Sequence, residues 1–188
     1  DNRDAILAAS IYLSCRMNGY PRTAKEIAHI FHLEITSATK GCKNAMTILN
    51  QLEQHVHVSE KTALGSTTPM SFIHRYCSKL QINFELTKLC QFLAMKIDQL
   101  HIMPENTPPP IAAGVVYYIA QRCHLDISKR DVKNVSDTSE VTINKCFKKL
   151  ERIILEHKLI PAPFFKNTEY VLMLHLLPLR RPMEIRGG

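Results

Sequence analysis

At 188 residues and 45% hydrophobic content, the chain can bury one ordinary core or two small ones, which argues against wholesale disorder. Its 24 Lys+Arg against 17 Asp+Glu leave a formal charge of +7, a basic excess compatible with nucleic acid but shared by many plain soluble proteins. No apolar run approaches the ~20 residues of a membrane span. The six cysteines (Cys15, Cys42, Cys77, Cys90, Cys123, Cys146) form no CxxC pair. That spacing argues against a zinc ribbon or a disulfide scaffold, and reduced, buried thiols in an intracellular domain are expected.

In chain order, Asp4–Met17 is apolar almost all round and predicts a buried helix. A turn with Gly19 and Pro21 follows, then a short helix Thr23–Phe31 and a long amphipathic helix from about Thr36 to His55. Thr68-Pro69 opens a helix through Leu80, and Phe84–Ile102 makes the next, with Asn83 as its cap. Pro110–Gln121 is a second helix apolar all round, with Thr107 as a cap and prolines in its first turn. A short helix Ser128–Val135, a break at Ser136–Thr138 and a long helix Ser139–His157 complete the pattern.

The order of apolar helix, short helix and long amphipathic helix thus occurs twice. Tyr12 aligns with Tyr118, Arg16 with Arg122 and Cys42 with Cys146, as expected of an internal duplication. The second copy has two additional helices ahead of it. The expected divisions are a partial first repeat at 1–65, a second repeat at 66–158 and an extension at 159–188. Residues 66–158 hold 13 basic and 9 acidic side chains against 7 and 6 in residues 1–65, so most of the excess charge lies with the second repeat.

Successive residues of Ser139–His157, set ~100° apart, place Ile143, Phe147, Leu150 and Ile154 in one apolar stripe. Lys145, Lys148, Lys149 and Arg152 fall on the opposite side, with Val141 among them. A lysine face alone is the ordinary solvated side of an amphipathic helix. A short helix and a tight turn before it make the pair a candidate helix-turn-helix. In that arrangement the lysines would meet phosphates, and Lys129 and Arg130 on the preceding helix would hold backbone. Val141, Thr142 and Asn144, near the helix start, would reach base edges, where a valine can meet a thymine methyl and an asparagine can read adenine.

The stretch "RDAILAASIYLSCRMNGYPRTAKEI" closely resembles the first cyclin repeat of the TFIIB family of general transcription initiation factors. "FIHRYCSKL" and "SEVTINKCFKKL" resemble pieces of that family's second repeat, so the resemblance covers roughly residues 3–158. It implies an all-α fold of tandem cyclin-like five-helix repeats, the first lacking its first two helices. It also implies a core that binds promoter DNA and the TATA-binding protein and helps recruit RNA polymerase. The family's second repeat reads DNA with a Val, matched by Val141, and an Arg, replaced here by Asn144. Its first repeat meets the TATA-binding protein around the start of its last helix, where Thr36, Ser37, Lys40 and Lys43 stand. A zinc ribbon would be expected ahead of these repeats, and no cofactor within them. Departures from the usual sequences fit a viral or otherwise atypical homologue, working in the nucleus or at a cytoplasmic site of viral transcription.

The alternative is a cyclin-type regulator of a kinase or other partner, because fold does not fix function. No phosphate-binding loop or nucleophile motif supports an enzyme. The pairs His29/His32 and His55/His57 lack further ligands, and Met70, Met95 and Met103 read as core filler. Within the extension, "EYVLMLHLL" suits a final helix or a strand.

Overall fold

A computed structural model describes residues 2–160, and every regular element among them is helical. The reading of the extension beyond Ile160 lies outside the described residues. The chain divides into two compact units after Thr67.

The first unit comprises α1 (Asn2–Met17), α2 (Ala24–Ile30) and α3 (Ile35–Leu52), with α1 lying along α3. Thr23 and Glu26 form a reciprocal capping box that starts α2. Glu34 caps α3, its carboxylate accepting from the Thr36 and Ser37 backbone N–H groups. Helix α3 therefore begins one residue before the expected Thr36 and ends at Leu52, short of His55. Its Gly41 meets α1 so closely that a Cβ there would lie 2.7 Å from the Ala5 Cα.

Helix α1 departs from the expectation of full burial. Only Ala8 is buried along it, while Ile6 and Met17 are 59% and 58% exposed. Among the described residues, the helices packed closely along it are α2 and α3. Beyond α3, the Thr62 N–H donates to Glu53, and Arg16 and Gly65 exchange hydrogen bonds.

The second unit comprises α4 (Met70–Lys79), α5 (Phe84–Gln99), α6 (Pro108–Arg122), α7 (Lys129–Ser136) and α8 (Glu140–His157). Helix α6 is central: every residue from Ile111 to Ala120 is buried, and α4, α5, α7 and α8 pack around it. An all-round apolar sequence forms such a helix because no side of it needs water. Pro108 and Pro109 occupy its first turn, and Thr107 holds the cap position without the expected side-chain bond. Asn83 does cap α5, accepting from the Leu86 N–H at 2.9 Å.

Cys77, Cys90, Cys123 and Cys146 are all buried in this core. Burial pushes the Cys123 thiol up to about 11, and a hydrogen bond with Cys77 is the foremost reason that Cys90 is raised. Buried thiols held protonated in this way are poor nucleophiles. Met103 is core, but Met95 is half-buried and Met70 is 45% exposed, because Met70 opens α4 on its outer side.

The two units repeat one motif. Ala8 and Cys42 touch across α1 and α3 through a Cys42 Sγ to Ala8 carbonyl contact of 3.5 Å. Gly114 and Cys146 touch at the corresponding place across α6 and α8, where an added Cβ would lie 2.6 Å from the Cys146 Cβ. Helix ends are also alike. His32, Gln81, His101, His124 and Lys158 all take left-handed φ values of 48–56°. In each case the next residue (Leu33, Ile82, Ile102, Leu125 or Leu159) donates its N–H back to a carbonyl five positions earlier, at 2.9–3.3 Å. Those five residues are apolar and join the cores, as the Schellman motif requires.

Gly114→Ala is expected to destabilise the second unit by about 1–3 kcal/mol through overpacking against Cys146, measured by urea denaturation followed by circular dichroism. The Glu34 carboxyl is lowered from 4.5 to about 2, chiefly by its hydrogen bonds with Thr36 and then Ser37. The stabilisation it gives is complete above 4.5 and is lost as pH falls toward 2. Glu34→Gln should therefore flatten the acid limb of the first unit's stability in that window, measured by thermal melts between pH 5 and pH 2.

Candidate nucleic-acid interface

Helices α7 and α8 are held as a pair by their turn. Ser128 and Asp131 form a capping box at the start of α7. The turn passes through Asp137 in the left-handed region (φ 55°), its N–H donating to the Lys133 carbonyl at 2.8 Å. The Ser136 hydroxyl donates to the Val132 carbonyl and accepts from the Thr138 N–H, so the buried turn leaves these groups satisfied. Ser139 then caps α8, accepting from the Thr142 N–H at 3.2 Å. Sequence order and turn chemistry thus join α7 and α8 through the three residues Asp137, Thr138 and Ser139.

Packing fixes the roll of α8. Ile143, Cys146, Leu150, Ile153 and Ile154 face the core. Phe147 sets its edge to Tyr117, with ring centroids 5.3 Å apart, and also meets Tyr118 at 5.9 Å. The opposite side is left to solvent, and Val141, Lys145, Lys148 and Arg152 form one exposed row at helical spacing. Val141 is 65% exposed at the front of that row. Asn144 and Thr142 are half-buried on either flank, and the Thr142 hydroxyl shares a 2.9 Å hydrogen bond with that of Ser139.

The basic groups are not equivalent. Lys145 and Lys148 are exposed and have no acidic partner among the described residues. Lys149 lies toward the α5–α6 connection and pairs with Glu105. Arg152 pairs with Glu156 at 3.7 Å, one turn further on. Glu140 sits at the α8 N-terminus, where the helix dipole favours it, and its charge is answered by Lys133 at 3.9 Å. On α7, Arg130 is exposed, whereas the Lys129 amine reaches back over the Tyr117 ring at 5.9 Å.

Of the expected residues, Val141, Lys145, Lys148 and Arg152 thus share one face with Asn144 at its edge, while Lys149 and Lys129 lean away from it. Sequence spacing could not reveal the Glu105–Lys149 pair, because its partners are 44 positions apart.

The candidate partner surface on α3 is arranged differently. Thr36 donates its hydroxyl to the Glu34 carboxylate at 2.6 Å, and the Ser37 N–H is taken by the same group. Both residues therefore serve the cap, beside a carboxylate absent from the expected set. Lys40 and Lys43 are exposed one and two turns further along. The four histidines weighed as metal ligands (His29, His32, His55, His57) are all exposed.

The family profile "Transcription factor TFIIB repeat" matches residues 2–49 and 60–153. Over 149 residues the chain is 32% identical to a transcription initiation factor IIB-like protein of Acanthamoeba polyphaga mimivirus, covering 79% of this chain and 32% of that protein. It is 30% identical over 168 residues to transcription initiation factor IIB of Oryza sativa subsp. japonica, with 89% of this chain and 51% of the relative covered. Identity to the Xenopus laevis factor is 27% over 169 residues, covering 89% and 49%. The chain spans about a third of the viral relative's length and about half of the other two. The profile match runs through both units and every helix of the candidate interface, and the chain belongs to the TFIIB repeat family.

Proposed function

We propose that this chain is the repeat core of a transcription initiation factor, and that it binds promoter DNA through the outer face of α8. The observation that carries this reading is the exposed row Val141, Lys145, Lys148 and Arg152 on the second helix of a helix-turn-helix. Such a helix fits the major groove, with its N-terminal residues on base edges and its lysines along the phosphates. Val141 leads and favours a thymine methyl; Asn144 beside it can pair with adenine, and Thr142 can serve either. Lys145 and Lys148 supply the main phosphate contacts. Arg152, Lys149, Lys129 and Arg130 are secondary, since all but Arg130 are partly engaged within the protein.

The partners follow from family membership: the TATA-binding protein, and RNA polymerase brought to the complex. The surface proposed for the TATA-binding protein is the first half of α3, with Thr36, Ser37, Lys40 and Lys43. Charge there comes from the two lysines, while Glu34 would repel an acidic partner approaching the helix start. Work in the nucleus, or at a cytoplasmic site of viral transcription, agrees with this role.

Anisotropy of a labelled TATA-containing duplex across a salt series tests the DNA contact. Affinity should fall steeply with salt, and Lys145→Ala with Lys148→Ala should make the log–log slope shallower by about 2. Glu105→Gln should release Lys149 and steepen the slope by about 1. Tighter duplex binding in the presence of TATA-binding protein, weakened by Lys40→Glu with Lys43→Glu, is the outcome expected of the second contact. DNA binding without that strengthening would remove the TATA-binding protein from this account; no binding at low salt would remove the DNA.

A further inference from the structure

Where α5 ends and α6 begins, the second unit keeps an open hollow that neither the α8 face nor the α3 surface uses. Past the end of α5, His101 turns into the left-handed region (φ 49°), and the Ile102 N–H returns to the Ile97 carbonyl at 3.3 Å. Met103 then enters the core, and the Asn106 N–H closes a turn on the Met103 carbonyl at 3.1 Å. This course leaves a cavity of about 160 Å³ beside the start of α4. Its buried lining is Pro69, Ile97, Met103 and Ile111, with Pro104 and Pro108 nearer to solvent. Asp98 and His101, both exposed, complete it together with Asn106.

The charge of the hollow is one-sided. Asp98 has no ion-pair partner among the described residues, whereas Glu105, on the same connection, is already held by Lys149. The C-terminal end of α5 adds its own negative partial charge. The start of a helix ordinarily draws anions through its free N–H groups, but Pro108, Pro109 and Pro110 have none. The next N–H, that of Ile111, is given to the Thr107 carbonyl at 3.4 Å. Among the described residues no lysine or arginine lines the hollow.

We infer that this hollow is the seat of an arginine side chain presented by a partner protein. The alkyl stem would lie on Ile97, Met103 and Ile111, and the guanidinium would meet the Asp98 carboxylate and the Asn106 side chain. A cavity of about 150 Å³ holds a benzene ring, so the space suits the seven heavy atoms of an arginine side chain. Nucleotides and larger cofactors take pockets of about 300–1,000 Å³. The planar, weakly hydrated guanidinium tolerates apolar walls and forks onto a carboxylate better than an ammonium does. A phosphate would meet Asp98 with no donor to offset it. A free amino acid would bring a carboxylate that no cation here answers, while a chain presents that position as a neutral amide.

The probe is a pentapeptide of glycines around one central arginine, blocked at both ends, titrated into the full chain while the Met103, Ile97 and Ile111 methyl groups are followed by NMR. Saturable shifts of those methyl groups are expected. Citrulline in place of the arginine keeps the shape without the charge and should bind at least tenfold more weakly. Asp98→Asn should weaken the arginine peptide at least fivefold, and its exposed site should leave the melting temperature at the wild-type value. Lys145→Glu with Lys148→Glu should leave peptide binding unchanged, so that failure here and failure of the DNA contact are separate results. The proposal is overturned if the methyl shifts do not saturate, if citrulline binds equally, or if Asp98→Asn has no effect. A lysine peptide that binds as tightly would overturn the choice of arginine. Free arginine binding at least tenfold more tightly than the blocked peptide would replace the partner protein with a small molecule.

Discussion

The contact between Gly114 and Cys146 sets the geometry on which the second unit depends. With no Cβ on α6 at that point, α8 approaches until its own Cβ would meet one at 2.6 Å. Such an approach fixes the helix in rotation as well as distance, because only one residue of α8 can occupy the notch. Phe147, one residue on, is then directed against Tyr117 and Tyr118. Once these two positions are placed, helical periodicity leaves Val141, Lys145, Lys148 and Arg152 on the far side. The exposed basic row is a consequence of core packing, and a change in the core would turn it.

The same logic organises the first unit with the small residues exchanged. Here Gly41 stands on the long helix and meets the backbone of Ala5, while Ala8 meets Cys42. Two copies of one motif have reached close helix contact by placing glycine on opposite partners. A duplicated architecture can therefore persist while few paired residues remain identical.

Much of this was legible in the sequence because it is carried by periodicity and local chemistry. The all-round apolar run around Pro110–Gln121 marked the centre, and Ser139 and Asn83 marked helix starts. The three motifs that resemble TFIIB repeats gave the family, which the profile match shows. What escaped depends on contacts distant in sequence or on competition within a turn. Asp4–Met17 has the composition of a buried helix, but burial also requires neighbours, and among the described residues α2 and α3 leave only Ala8 of α1 buried. Glu34 is an uncommon cap, so the sequence pattern starts α3 one residue late and does not reveal the engagement of Thr36 and Ser37. Glu105, far along the chain from Lys149, divides a lysine face that helical geometry alone presents as uniform.

The ends of the helices carry a different consequence. Among the described residues, six of them close on a left-handed residue that is not glycine, and three of those residues are histidines: His32, His101 and His124. A side chain in that conformation costs about 1 kcal/mol relative to glycine. Six such stops together are comparable with the entire stability of a small domain, about 5–15 kcal/mol. The fold is consequently held below the stability its own topology permits. A thermally tougher form lies a few exposed glycine replacements away, at positions such as Gln81 and His124, which are not among the residues assigned to DNA or partner contact.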